Sequence, residues 1–241
     1  VLTGTDPFRR YITSHVLFNG EPLVIRPNEP TVARLLREAG YATGVVGKWH
    51  LGLGDRLPRD PDDPGRGPNE VGFDLSFLVP DGHNMLPQVY HENGRIVGGA
   101  DPSFRSRIEI LDRLGFRLLQ WRESPAWPNR RPGAEIGPTL ADRVDRFLEA
   151  HADRPFFLFY PTHSIHYPHV PAEPFQGRSG LGPHGDFVME FDWAVGRVMD
   201  KLDELGIADR TLLIVTSDNG GLPAVDGHRP SDPWRGRKAS I

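Results

Sequence analysis

The chain has 241 residues, of which 38% are hydrophobic and 25% charged, and its formal net charge is -4 at pH 7. This balance is typical of a folded domain rather than a disordered chain, and it gives no sign of a nucleic-acid partner. The chain contains no cysteine, which excludes a disulfide framework, a cysteine nucleophile and a cysteine metal site within these residues. No apolar run reaches the roughly 20 residues that span a bilayer.

The first predicted helix covers Thr31–Ala39, where apolar residues recur at helical spacing. A strand is predicted over Tyr41–Val46, and it runs directly into the sequence G-K-W-H-L-G at Gly47–Gly52. Lys48 and His50 are two residues apart, so an extended backbone would point both side chains to the same face. A cation beside an imidazole suits an anionic substrate and a proton transfer. The alternative is a surface lysine and a structural histidine.

The next part of the chain carries weaker signals. Residues 55–69 are dense in proline, glycine, aspartate and arginine, which predicts a long irregular loop. A short strand is predicted within Val71–Val79, followed by a loop in which His83 either faces a site or is simply solvated. We expect residues of about 85–135 to form a surface insertion, and we assign no chemistry to them.

A second helix is predicted over Thr139–Ala150, and the apolar run Phe156–Tyr160 predicts a buried strand after it. Three histidines follow within seven residues, at positions 163, 166 and 169. This cluster is consistent with a zinc site, with an anion site built from imidazole donors, or with a structural loop.

The longest predicted helix covers Phe187–Leu205, and Thr211–Thr216 is predicted to be a strand buried on both faces. That strand leads into S-D-N-G-G, in which Asp218 and Asn219 offer two hard oxygen ligands suited to Ca²⁺ or Mg²⁺. Because these are also common turn residues, an ordinary turn is the alternative. A basic, glycine-bearing stretch then ends near Lys238.

The alternation of helices and strands predicts an α/β fold with a largely parallel or mixed sheet sandwiched between helices. Polar clusters follow three of the predicted strands. Because the carboxyl ends of parallel strands share one edge of a sheet, these clusters can converge there. We expect residues 1–241 to be part of a single catalytic domain.

Four motifs together resemble the type I, formylglycine-dependent sulfatases of the alkaline phosphatase superfamily. They occur in the order and approximate spacing of that family: G-K-W-H-L-G, H-Y-P at His166–Pro168, S-D-N-G at Ser217–Gly220 and R-G-R-K at Arg235–Lys238. The stretch Arg178–Gly196 resembles the arylsulfatase A branch in particular. The resemblance implies an alkaline phosphatase-like fold and the hydrolysis of sulfate monoesters, with a sulfated small molecule or carbohydrate as substrate.

The resemblance also implies roles for individual residues. Asp218 and Asn219 would be ligands of a calcium ion, or alternatively of magnesium, that holds the sulfate oxygens. Lys48 and Lys238 would contact the sulfate group and the bridging oxygen of the ester. His83 is a candidate substrate contact. In the loop near His83, arylsulfatase A relatives have a serine that contacts the sulfate, and this chain has glycine at that position.

Two histidines would complete the catalytic group. His166 would donate a proton to the leaving alcohol, and His50 would hold the hydrated formylglycine nucleophile. In the family this nucleophile is made, by a formylglycine-generating enzyme, from a cysteine or serine in a C/S-x-P-x-R motif just before a segment like Val1–Gly4, and that position lies outside these residues.

The family also has an N-terminal strand that brings two further carboxylate ligands for the metal, and it has a C-terminal domain. Neither element is found in these residues. We therefore expect the full-length parent to be the active enzyme, with a periplasmic or secreted location plausible, and these 241 residues alone to be inactive. One alternative is a phosphodiesterase or phosphonate monoester hydrolase of the same superfamily. The other is a non-catalytic homologue that binds calcium or a sulfated glycan.

Overall fold

The computed structural model describes residues 1–5, 17, 22–26, 28–54, 65–80, 82, 89–97, 133–222 and 227–238. His83, most of the predicted insertion at 85–135 and most of the predicted loop at 55–69 lie outside the described residues.

Three helices and a five-stranded sheet form the described structure. The helices are α1 (Val32–Glu38), α2 (Ile136–His151) and α3 (Gly182–Glu204), and the strands are β1 (Ala42–Lys48), β2 (Leu75–Val79), β3 (His91–Glu92), β4 (Arg95–Ile96) and β5 (Phe156–Phe159). The strand order is β4-β3-β2-β1-β5. β1 pairs in parallel with both β2 and β5, whereas β3 is antiparallel to β2 and β4. The predicted α/β class with a mixed sheet is confirmed.

The centre of the sheet is buried on both faces. Val45 and Val46 are adjacent in β1 and point to opposite faces, and each belongs to a different hydrophobic core. The core around Val45 includes Ala33 of α1, and the core around Val46 includes Phe147 of α2 and Leu202 of α3. The sheet is therefore sandwiched between α1 on one side and the α2–α3 pair on the other.

Local sequence explains where the helices begin and how they pack. Thr31 caps α1, because its hydroxyl oxygen accepts a hydrogen bond from the Arg34 backbone N–H at 3.0 Å. Helices α2 and α3 are joined at their surface by Arg197, which donates hydrogen bonds to Asp142 and Asp145. None of the helices in the described ranges is both long and apolar enough to cross a membrane.

The prediction of a buried strand at Thr211–Thr216 is wrong. This segment is not assigned to any strand of the described sheet. Its side chains are exposed, with Leu212 at 84% and Ile214 at 73% of full exposure. The apolar run had the composition of a buried strand, but burial requires a strand beside it and a layer above it. The described part of the chain provides neither at this position.

Two further differences concern the edges of the sheet. β5 is half-buried rather than buried, because it is the last strand of the described order and has β1 on one side only. The β3–β4 hairpin was not predicted. Its two-residue loop is Asn93-Gly94, and both residues have positive φ (47° and 77°), as a type I′ turn requires. The Asn-Gly pair was therefore a usable hairpin signal.

Candidate active site

The backbone that follows β1 joins the ends of its two neighbouring strands. The Lys48 N–H donates a hydrogen bond to the Pro161 carbonyl beyond β5 at 2.7 Å, and the His50 N–H donates one to the Pro80 carbonyl beyond β2 at 2.8 Å. These two bonds place Lys48 and His50 at the carboxyl edge of the parallel strands, which is where ligands bind in open α/β sheets.

This turn depends on a glycine and on an anchored tryptophan. Gly47 has φ of +138°, and a Cβ at this position would lie 2.1 Å from the Pro161 carbonyl oxygen. Trp49 is buried, its ring packs edge-on against Phe73, and its indole N–H donates to the Gly52 carbonyl at 2.8 Å. His50 then adopts φ of +55°, an uncommon conformation for a residue with a side chain. The turn is therefore fixed on both sides of Lys48.

The His50 imidazole is a buried polar group with one nitrogen atom that no described residue satisfies. Its Nε2 is buried and makes no hydrogen bond with any residue that the structure describes. Burial, together with the positive charges of Lys48, His166 and Lys238, lowers the pKa of His50 to about 3. The ring is consequently neutral at physiological pH. Because buried polar atoms are almost always satisfied, this Nε2 is a candidate contact for a group that binds at the site.

His166 is held by the backbone in a defined tautomer. Its backbone N–H donates a hydrogen bond to the His163 carbonyl at 3.1 Å, and its ring Nδ1–H donates one to the Tyr167 carbonyl at 2.5 Å. Because a carbonyl can only accept, Nδ1 carries the proton and Nε2 is unprotonated in the neutral ring. Burial first, and then the charges of Lys48 and Lys238, lower the pKa of His166 to about 4.

Lys238, the last described residue, lies near His50 and His166. Its N–H donates to the Gly221 carbonyl at 3.0 Å. Gly220 packs so closely on the neighbouring backbone that a Cβ there would lie 3.1 Å from the Arg237 Cα. The segment with Lys238 therefore lies directly against the segment that follows Asp218.

The sequence singled out seven site residues, and the structure brings five of them together: Lys48, His50, His166, Asp218 and Lys238. The pKa of His50 responds to the charges of both lysines and to protonation of His166, and the pKa of His166 responds to both lysines and to Asp218. Two lysine ammonium groups beside two neutral imidazoles form a site that attracts an anion and offers a proton acceptor to it. His83 lies outside the described residues.

Asp218 and Asn219 are exposed and adjacent in the S-D-N-G turn, where the Ser217 hydroxyl donates to the Asn219 carbonyl at 2.7 Å. A carboxylate and an amide oxygen are the donors that a hard cation such as Ca²⁺ prefers, but Ca²⁺ takes about six to eight oxygen ligands. Within the described ranges, no group of three or more histidine, aspartate or glutamate side chains could hold a metal ion. The donor chemistry fits, and these two residues supply part of such a site.

The three histidines after β5 do not form a zinc site, and that interpretation is wrong. His163 is buried against the Phe187 ring, and its Nε2 lies 3.7 Å from Glu190. His166 lies in the site described above, whereas His169 packs against the ring of His184. His163 and His169 both lie against the Phe187 ring, but the three histidines form no metal-holding group in the described residues.

Two features near the site were missed in the sequence. The first is the buried Glu190, whose signal was a carboxylate on the apolar face of α3 that also carries Phe187. The second is a pair of imidazoles, since His184 Nδ1 and His228 Nδ1 are 2.7 Å apart. No local pattern linked these two histidines, because they are 44 residues apart in the chain.

Comparison with known proteins identifies relatives along nearly the whole chain. An N-acetylgalactosamine-6-O-sulfatase from Bacteroides thetaiotaomicron is 34% identical over 284 aligned positions, covering all of this chain and 54% of the relative. Human arylsulfatase A is 35% identical, covering 91% of this chain and 41% of the relative.

Solved structures agree with the sequence relatives. A B. thetaiotaomicron structure, described in work on the metabolism of multiple glycosaminoglycans, has a TM-score of 0.78 and 33% identity, covering 91% of this chain and 51% of that one. A Pseudoalteromonas sulfatase, PsFucS1, has a TM-score of 0.66 and 26% identity, covering 98% of this chain and 47% of that one.

The chain spans about half the length of the curated relatives named here. The family model named Sulfatase matches residues 2–236, which is nearly the entire sequence. The chain therefore belongs to the sulfatase family.

Proposed function

We propose that the full-length protein is a sulfuric ester hydrolase that cleaves sulfate monoesters. The observation that carries this proposal is the convergence of Lys48, Lys238, His50 and His166 at the carboxyl edge of the sheet. Family membership and the names of the relatives support it. We further propose that residues 1–241 are part of one catalytic domain.

The two lysines bind the anionic sulfate group and stabilise the charge that shifts toward its oxygens during cleavage. Both ammonium groups act from fixed backbone positions, because Lys48 is tied to the Pro161 carbonyl and Lys238 to the Gly221 carbonyl. Preorganised cations of this kind stabilise a transition state without reorganising as the reaction proceeds.

His166 exchanges a proton with the leaving alcohol through Nε2. In the ligand-free site this nitrogen is unprotonated at neutral pH, since the pKa of His166 is lowered to about 4 by burial and by the lysines. A bound sulfate offsets the lysine charges that contribute to this shift, and the pKa of His166 therefore rises when substrate binds. The proton donor becomes available with the substrate in place.

His50 provides a neutral imidazole whose buried Nε2 needs a hydrogen-bond partner. We propose that this atom contacts the formylglycine nucleophile, which would be generated outside these residues by a formylglycine-generating enzyme. Formylglycine would supply the attacking hydroxyl, and His50 would orient that hydroxyl and exchange a proton with it.

Asp218 and Asn219 would hold a calcium ion together with ligands from elsewhere in the protein, and that ion would supply positive charge to the sulfate oxygens. His83 is proposed as a further substrate contact. A sulfated carbohydrate is the proposed substrate class, since one relative is named an N-acetylgalactosamine-6-O-sulfatase.

The test uses the full-length protein with 4-nitrophenyl sulfate and a panel of carbohydrate sulfates, in parallel with phosphodiester and phosphonate monoester substrates. We expect K48A and K238A to lower kcat/KM by about 100-fold or more, in line with the loss of a transition-state charge contact. K201A is the matched control, because Lys201 forms ion pairs with Glu149 and Glu204 in α2 and α3. Turnover of phosphodiesters in preference to sulfates would overturn the proposal.

A further inference from the structure

Glu190 is a carboxylate in the interior of the protein. It lies on α3, on the face that also carries Phe187, and only 1% of its surface is exposed. Acidic side chains are rarely buried to this extent unless they are hydrogen-bonded, because desolvating a charge is costly. The groups that surround this carboxylate therefore indicate what it holds in place.

Both oxygens of Glu190 contact the loop that carries His166. Oε2 accepts a hydrogen bond from the Ala172 N–H at 2.6 Å, after His166 in the chain. Oε1 accepts one from the Ser164 hydroxyl at 3.4 Å and lies 3.7 Å from His163 Nε2, both before His166. The carboxylate thus fixes the loop on either side of His166, whose own N–H is bonded to the His163 carbonyl.

The neighbouring helix leaves space for this arrangement. Gly137 of α2 lies against the carboxylate, and a Cβ at this position would be 2.0 Å from Glu190 Oε1. The charge of Glu190 also raises the pKa of Tyr160 at the end of β5, after burial as the larger cause. The Glu190 side chain therefore lies between α2 and the loop, and its charge also acts on the end of β5.

We propose that Glu190 is a positioning residue for His166, and that it aligns the imidazole with the leaving group by fixing both ends of the loop from 163 to 172. The proposal rests on the function proposed above, since it assumes that His166 protonates the leaving alcohol. Its effect on the loop itself does not depend on that role.

The experiment separates positioning from a general loss of structure. An aryl sulfate such as 4-nitrophenyl sulfate has a good leaving group that needs little protonation, whereas a carbohydrate sulfate releases an alkoxide that does. In the full-length protein we expect E190A to lower kcat for the carbohydrate sulfate by about tenfold or more beyond its effect on the aryl sulfate, since general acid catalysis contributes about 100-fold to 10,000-fold. We expect H166Q to show the same selectivity.

Two variants act as controls. E190Q keeps an oxygen that can accept from the Ala172 N–H, so we expect a smaller selective loss. D192N removes a carboxylate from an exposed position on the same helix, and we expect wild-type behaviour. A purely structural effect of E190A would lower the rates for both substrates by the same factor.

A second measurement does not require activity. In protein labelled with ¹³C in the histidine rings, the His166 signal is identified by its loss in H166Q. We expect E190A to shift this signal and its titration, and D192N to leave both unchanged.

An unchanged His166 signal and an unchanged substrate ratio in E190A would overturn the proposal, and E190Q decides in the same way if E190A does not fold. If the wild-type protein cleaves no sulfate ester, the proposed function fails. The His166 signal then still decides whether Glu190 positions the loop.

Discussion

Replacing Gly47 by alanine tests whether the turn after β1 determines both stability and the alignment of the site. At φ of +138° a side chain is strained, and the new Cβ would lie 2.1 Å from the Pro161 carbonyl oxygen. A residue in a sparsely populated backbone region costs about 1–3 kcal/mol, and overpacking costs about 1–3 kcal/mol more. We therefore expect G47A to lower the free energy of unfolding by roughly 4 kcal/mol.

The assay is urea denaturation of the full-length protein together with kcat/KM for a sulfate ester. G196A is the matched control, since Gly196 lies within α3 and a Cβ there would have no atom within 4 Å apart from the adjacent backbone of its own helix. Alanine should stabilise this helix by about 0.5–1 kcal/mol. We also expect G47A to lower kcat/KM, because moving the Pro161 carbonyl displaces the hydrogen bond from Lys48. A stability within about 1 kcal/mol of wild type would refute the reasoning.

Three further predictions concern the metal, the pH dependence and the paired histidines. D218A should lower activity and calcium affinity together, measured by turnover and by calcium titration; full activity with an unchanged metal requirement would contradict the assignment. The pKa of His50 is about 3 in the folded protein and about 6.5 when unfolded. The folded state therefore binds fewer protons between these values, and this contribution to stability is complete above pH 6.5 and lost as pH falls toward 3. H50Q should accordingly reduce the dependence of the unfolding free energy on pH in that window, and an unaltered slope would argue against the shift. The Nδ1 atoms of His184 and His228 are 2.7 Å apart, so one ring donates a hydrogen bond to the other. We expect H228A, which removes this hydrogen bond, to speed hydrogen exchange in residues 227–238 relative to wild type at the same pH, and an unchanged exchange rate would argue against a stabilising contact.

The sequence was sufficient wherever a local pattern carries the physical cause. The helical spacing of apolar residues predicted α1, α2 and α3, because each helix buries one face regardless of its partners. The glycine-flanked motif around Lys48 and His50 predicted polar side chains at a strand end, and the parallel pairing of β1 with β2 and β5 places them there. The motifs also identified the family, which was confirmed by the comparisons.

Tertiary structure decided whatever depends on partners distant in the chain. The run from Thr211 to Thr216 has the composition of a buried strand, yet burial depends on neighbours, and in the described structure the segment is exposed. Three histidines that are neighbours in sequence do not converge on one site, because His166 lies near the two lysines whereas His163 and His169 pack against Phe187. Glu190 meets the His166 loop only because α3 packs against that loop, since its hydrogen-bond partners are 18 and 26 residues away in the chain. Composition and periodicity thus determine which elements form, whereas long-range packing determines which side chains meet.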